Sequence, residues 1–153
     1  MPDIQDETKD MTPTVLSAYY FAKGYTIEQV QGVIKSRRAA YPTISEVLNE
    51  FMGRQDMSVE TLAILSDVKP STIYRIMNRE RNPVRNTILR MAIALNLDFG
   101  ETQTLLKSGN CALLSASRAR DLVIMKGIND SITYEAINEE LEARDMPNLN
   151  AKI

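Results

Sequence analysis

The chain of 153 residues contains no histidine and only one cysteine. Without histidine, neither a Ser/His/Asp nor a Cys/His catalytic centre can be assembled, and the most frequent general acid–base residue is missing. Cys111 has no second cysteine with which to form a disulfide, and it cannot hold zinc alone. We therefore expect no enzyme, no metal site and no cofactor.

Long apolar runs are also missing. The sequence has no run of eighteen apolar residues and no signal-peptide pattern, so we expect a cytoplasmic protein that does not associate with membranes. Its apolar share of 44% and charged share of 25% are ordinary for a soluble globular protein. The length is sufficient for one compact domain with a real core or for two very small domains.

The sequence also has no long stretch in which apolar and polar residues alternate with period two. This absence argues against strands and predicts an all-α fold. Thr26 and Thr43 each begin a capping box, and Ser58 and Thr133 have the character of further N-caps. Apolar residues recur at helical spacing, most clearly from Ile44 to Met52. These signals predict nine helices, over 14–23, 27–38, 44–54, 59–66, 70–78, 85–96, 100–108, 117–128 and 134–144.

The charges are unevenly distributed although the formal net charge is only −2. Between Lys69 and Arg90, six cations stand against Glu80, which gives +5 and leaves −7 for the rest of the chain. A basic segment in an acidic chain is typical of nucleic-acid binding, and a solvated helix face has the same appearance in a sequence. The six cations are Lys69, Arg75, Arg79, Arg81, Arg85 and Arg90.

The stretch from Ser58 to Asn78 fits a helix-turn-helix. Two short helices that cross steeply need a small residue at the crossing, which Ala63 supplies. The second helix must bury apolar side chains, which Ile73 and Ile76 supply, and it must present a polar face. Such a helix fits the major groove of DNA with its N-terminal residues nearest to the base edges.

From about Ile44 to Gly109, the sequence resembles the five-helix repressor domain of the phage Cro/C1 or XRE type. The matching parts are Leu62-Ala63, the run Ser71–Asn78, the basic loop Arg79–Pro83 and the helix Thr87–Leu97. They cover under half of the chain. The tail also resembles the extension of a group of bacterial regulators of this type, through Thr104–Gly109, Leu114-Ser115, Arg120-Asp121 and Pro147–Leu149.

The resemblance implies a domain organisation as well as a fold. It implies an all-α chain in which a five-helix, repressor-type helix-turn-helix domain carries additional helical pairs at both ends. The expected divisions are a mobile tail at 1–13, an N-terminal helical extension at 14–42, the DNA-binding domain at 43–109 and a C-terminal helical extension at 110–153.

The resemblance also implies roles for individual residues. Arginine is the usual bidentate partner of guanine, so Arg75 is the leading candidate for sequence readout. Phosphate contacts would give affinity and register without sequence information. The implied base-reading residues are Ser71, Thr72, Tyr74 and Arg75, and the implied phosphate-binding residues are Ser58, Lys69, Asn78, Arg79, Arg81 and Asn82.

Three positions depart from the family pattern. Val59 replaces a glutamine that helps many relatives to bind the DNA backbone, and Asp67 replaces a glycine in the turn. Asp can adopt the left-handed conformation, so the turn remains possible. Pro70 replaces a base-reading side chain in many relatives, although proline suits the first turn of a helix. The departure at Pro70 narrows the surface that would read bases.

Two functions are compatible with these patterns. The first is a sequence-specific regulator of transcription that binds double-stranded DNA, acting as a repressor. It would be a homodimer on a pseudo-palindromic operator, joined through one of the helical extensions. The second is a protein-interaction module, antitoxin-like or adaptor, with weak or no DNA binding and a protein partner held by the N- or C-terminal helices. The two functions can coexist.

Overall fold

The computed structural model describes Thr8 and residues 11–152, with only the backbone for 38–40. These residues form nine helices and no strand, so the all-α prediction is confirmed, and each helix ends within two residues of its predicted position. The helices are α1 (Pro13–Ala22), α2 (Ile27–Ala40), α3 (Ile44–Arg54), α4 (Val59–Ser66), α5 (Pro70–Met77), α6 (Arg85–Ala94), α7 (Phe99–Ser108), α8 (Ala119–Asn129) and α9 (Tyr134–Ala143).

The chain divides into two compact units, Met1–Tyr41 and Pro42–Ile153. The first contains α1 and α2, which bury Leu16, Tyr20 and Val30 against each other. The predicted capping box at the start of α2 is present: the Thr26 amide donates to Gln29 Oε1 at 2.9 Å, and the Gln29 amide donates to Thr26 Oγ1 at 3.2 Å. The predicted mobile tail, 1–13, lies outside the described residues except for Thr8 and 11–13.

The second unit contains α3 to α9 around one continuous core. The apolar stripe of α3 is buried as expected, and Thr43 caps this helix by accepting from the Glu46 amide at 3.3 Å. The helix α6 lies centrally and packs against α4, α7 and α9. The predicted division at residue 110 stays a prediction, while α8 and α9 share their core with the preceding helices.

Close helix approaches depend on small residues in this unit. At Gly127 of α8, an added methyl group would overlap Ile137 Cγ1 of α9, whose side chain is fully buried. Gly109, which ends α7, lies in the same way against Ile88 of α6. None of the helices described here is long and apolar enough to cross a lipid bilayer.

Candidate nucleic-acid interface

The helix α4 is a short element with well-defined ends. It begins at the N-cap Ser58, whose hydroxyl accepts from the Thr61 amide at 3.1 Å. It ends at Asp67, which has φ of 53° in the left-handed region, so that the amides of Asp67 and Val68 both donate to the Ala63 carbonyl. The chain then turns directly into α5, with Lys69 at the N-cap and Pro70 in the first turn.

The helix α5 has one buried face and one exposed face. Ile73 and Ile76 are fully buried and hold α5 against α3 and α4. Among the predicted base-reading residues, Thr72 is half-buried, while the other three are exposed. Residues spaced by three and four positions are neighbours on a helix surface. The row Ser71, Arg75 and Asn78 therefore lies on one exposed side of α5.

Tyr74 is exposed, but its side chain is engaged. Its hydroxyl donates a hydrogen bond to Glu60 Oε1 in the first turn of α4, at 2.8 Å. This bond raises the pKa of Tyr74 and lowers the pKa of Glu60. Tyr74, a predicted base-reading residue, is thus held toward α4. The carboxylate of Glu60, for which no role was predicted, lies on the same surface.

The loop after α5 is held close to the core at both ends. Asn78 ends the helix, and Arg79 follows with φ of 62°, which lets the Glu80 amide donate to the Arg75 carbonyl at 2.8 Å. Pro83 is buried beside Gly109. The intervening side chains, those of Arg79, Glu80, Arg81 and Asn82, are exposed.

The predicted phosphate-binding residues fall into two groups. The Ser58 hydroxyl serves the helix, because it caps α4 and also donates to Thr61 Oγ1 at 3.0 Å. The remaining residues are exposed, and their side chains form no hydrogen bond or ion pair with any described residue; they are Lys69, Asn78, Arg79, Arg81 and Asn82.

Two cations of the basic segment turn inward. Arg85 donates to both carboxylate oxygens of Asp121, at 3.1 and 2.9 Å, and to the carbonyls of Ala112 and Leu113. Arg90 donates to the carbonyls at the end of α4. The exposed charge of the segment is therefore carried by Lys69, Arg75, Arg79 and Arg81 against Glu80.

Most other cations of the second unit have partners. Arg54, Arg118, Lys126 and Arg144 form ion pairs with carboxylates, and Arg120 donates to backbone carbonyls. Within residues 42–152, the cations whose side chains bond to no described residue are Lys69, Arg75, Arg79, Arg81 and Lys152. Cations without partners therefore gather on α5 and the loop that follows it.

The inward position of Arg85 had a signal in the sequence. It precedes the buried residues Ile88 and Ala92 by three and seven positions, so it lies on their stripe of α6. The bond between Glu60 and Tyr74 had no such signal, because it joins two helices across fourteen positions.

The described residues contain no group of three His, Cys, Asp or Glu side chains placed to hold a metal ion. Comparison of the chain with protein-family models, curated proteins and solved structures finds no match. The proposal that follows depends on the exposed cations of α5 and of the loop after it.

Proposed function

We propose that the chain is a sequence-specific regulator of transcription that binds double-stranded DNA, and that it works by binding rather than as an enzyme. In this proposal α4 and α5 form a helix-turn-helix within a five-helix repressor-type domain of the Cro/C1 or XRE kind. The helix α5 is the recognition helix. It is short, it buries one face through Ile73 and Ile76, and it presents a polar face to solvent.

One observation carries the proposal: within residues 42–152, four of the five cations whose side chains bond to no described residue lie at the start of α5, on it or in the loop after it. Elsewhere in the second unit, α3, α8 and α9 pair exposed cations with nearby carboxylates. Lys69, Arg75, Arg79 and Arg81 instead remain available. Phosphate oxygens are the partners that such cations meet on DNA.

The mechanism follows from the positions of these side chains. With α5 in the major groove, Arg75 reaches the O6 and N7 atoms of a guanine, and Ser71 lies one turn nearer the start of the helix. Lys69 at the start of α5, and Arg79 and Arg81 after its end, contact the phosphates on either side. Tyr74 contributes to base contact only after leaving Glu60, so we assign direct readout mainly to Arg75 and Ser71.

We further propose that the regulator is a repressor. A two-fold dimer would place its two recognition helices in successive major grooves, about 34 Å apart, on a pseudo-palindromic operator. Occupancy of that operator would block polymerase sterically. A sedimentation measurement that gives a monomer at micromolar concentration, with and without operator, would remove the dimer from this proposal.

The proposal is tested by selecting bound duplexes from a random library and comparing variants on the preferred duplex. Arg75→Ala should weaken that complex by about 1–3 kcal/mol and relax the preference at one base pair. Arg79→Ala should weaken all duplexes equally and make the salt dependence shallower. Lys152→Ala is the matched control, because it removes an exposed cation that likewise bonds to no described residue and lies outside α5 and its loop.

If the intact protein shows no salt-dependent binding to any duplex, the regulator proposal fails. The protein-interaction alternative has one observation in its favour: Ile64 is 82% exposed on the outer face of α4, and the adjacent Leu65 is also exposed. An Ile64→Ser variant that loses association with a protein partner while the Arg75→Ala variant keeps it would support that alternative.

A further inference from the structure

The segment Pro147–Ala151, here called the strap, follows α9 and is held by side chains from three helices. Arg120 of α8 donates to the Pro147 carbonyl at 2.8 Å and to the Asn148 carbonyl at 3.0 Å. Asn86 of α6 donates to the Ala151 carbonyl at 2.8 Å. Leu149, in the middle of the strap, is fully buried. The strap is therefore a fixed part of the second unit.

The same network orients one exposed side chain, that of Asn150. Asn138 of α9 accepts from the Leu149 amide at 2.7 Å and donates to Asn150 Oδ1 at 2.8 Å. The backbone amide of Asn150 donates to Asn148 Oδ1 at 2.9 Å. With its oxygen engaged by Asn138, Asn150 directs its Nδ2 donor to Asp67, 3.4 Å from Oδ2.

Asp67 is the residue on which the direction of α5 depends. It has the left-handed backbone conformation that separates α4 from α5, a conformation that glycine, asparagine and aspartate adopt more readily than other residues. Its carboxylate is bound by Asn150, and its carbonyl accepts from Arg90 of α6 at 2.6 Å. Arg90 also donates to the Ser66 carbonyl at 3.2 Å. The turn is thus held from two sides.

We infer that the strap and α6 position the recognition helix through this turn, with Asn150 and Arg90 as the positioning residues. The inference rests on the proposed function of α5. Lys69 and Ser71 lie only two and four residues after Asp67, so a rotation at Asp67 moves both. Hydrogen bonds to base edges weaken steeply with distance and angle, so such a rotation changes sequence readout more than it changes phosphate attraction.

The bond between Asn150 and Asp67 can be separated from the stability of the fold. Both residues are exposed, whereas the bonds of Arg120 and Asn86 hold the strap itself. Loss of the Asn150 side chain should therefore leave the strap in place and remove one of the two contacts that hold the turn, while Arg90 keeps the other. A merely structural role would give the opposite result, a lower unfolding midpoint without a local change at the turn.

The test uses Asn150→Ala and Asn150→Asp in the full chain, with Asn49→Ala as the matched control. Asn49 is an exposed asparagine of α3 whose side chain bonds to no described residue. The first readout is the amide NMR spectrum of residues 66–72, and the second is the ratio of affinities for the preferred duplex and for random DNA. Asn150→Ala should shift these amides and lower the ratio about two- to threefold, the lower end of what one hydrogen bond contributes, because this bond is exposed and 3.4 Å long.

Asn150→Asp should act more strongly, because it places a second carboxylate beside that of Asp67. Adding Asp67→Asn to this variant restores a donor and an acceptor with their roles exchanged, and asparagine tolerates the left-handed conformation. The double variant should therefore recover the amide spectrum and the affinity ratio. A double variant no better than Asn150→Asp would overturn the inference.

The two proposals fail in different ways. If Asn150→Ala leaves the amides of 66–72 and the affinity ratio as in Asn49→Ala, the strap does not position α5. If the amides shift and recover as expected while the unaltered protein binds no duplex, the proposed function fails and the coupling between strap and turn stands.

Discussion

Replacement of Arg85 by glutamine should destabilise the second unit strongly, although Arg85 belongs to a basic segment in which Arg75, Arg79 and Arg81 are exposed. Arg85 is the main partner of Asp121, whose side chain is only 1% exposed. Glutamine is too short and uncharged, so the variant leaves the Asp121 carboxylate buried with only the Ser115 amide, at 3.0 Å, and Arg118, at 3.8 Å. The carbonyls of Ala112 and Leu113 also lose their donors.

The magnitude follows from the burial of this pair. Removal of one partner from a buried ion pair costs about 3–5 kcal/mol. The Arg85 side chain is 20% exposed and Arg118 can approach Asp121 more closely, so we expect the lower limit, about 3 kcal/mol. For a protein of this length, that loss lowers the thermal midpoint by roughly 6–12 °C.

Urea denaturation followed by circular dichroism measures this difference directly. Arg81→Gln is the matched control, since Arg81 is exposed and bonds to no described residue, and its free energy of unfolding should stay within about 0.5 kcal/mol of the unaltered protein. A loss below about 1 kcal/mol for Arg85→Gln, at unchanged denaturant slope, would refute the argument that Arg85 has a structural role.

Two further predictions concern packing and titration. Gly127→Ala should destabilise by about 1–3 kcal/mol because its methyl group overlaps Ile137, whereas Gly53→Ala, in open space on α3, should stabilise by up to about 1 kcal/mol, both measured by thermal unfolding. The Tyr74–Glu60 bond should contribute to the stability of the fold between pH 4.5 and pH 10.0, the ordinary pKa values of Glu and Tyr. This contribution should be lost as pH falls through the lowered pKa of Glu60 or rises through the raised pKa of Tyr74. Ultraviolet titration should therefore show the Tyr74 phenol ionising at lower pH in Glu60→Gln, with Tyr74→Phe identifying its signal; an unmoved titration would contradict the bond.

The positions of the helices were readable from the sequence because their signals are local. An N-cap such as Ser58 or Thr133 satisfies amides within its own first turn, and the stripe of α3 identifies its buried face without reference to a partner helix. Proline at position 70 was likewise readable as a helix start, since its fixed φ and missing donor suit the first turn. The nine helices therefore emerged with small errors at their ends.

The partners of polar side chains were not readable, because they depend on contacts far apart in the chain. The bond of Arg85 to Asp121 spans 36 positions, and the bond of Asn150 to Asp67 spans 83. A basic segment counted from the sequence treats every cation as available, although the same arginine can bind a phosphate or a buried carboxylate. Tyr74 shows the same difficulty, since exposure at its position was predictable and its bond to Glu60 was not.

The salt dependence of the proposed DNA binding would distinguish the six cations counted from the sequence from the four that the structure leaves exposed and unbonded to described residues. Each phosphate contact contributes about −0.9 to the slope of log affinity against log salt concentration, so the six cations counted from the sequence correspond to about −5.4 for each protomer. With Arg85 and Arg90 bound internally, Lys69, Arg75, Arg79 and Arg81 are the cations of this segment that stay available, and the segment should contribute no more than about −3.6 to the slope for each protomer. If Arg75 contacts a base instead of a phosphate, the slope becomes about −2.7. A measured slope near −5 that persists after Lys35→Ala and Lys152→Ala, which remove the other exposed lysines that bond to no described residue, would mean that Arg85 and Arg90 leave their internal partners on DNA; that would contradict the assignment of both residues to the fold.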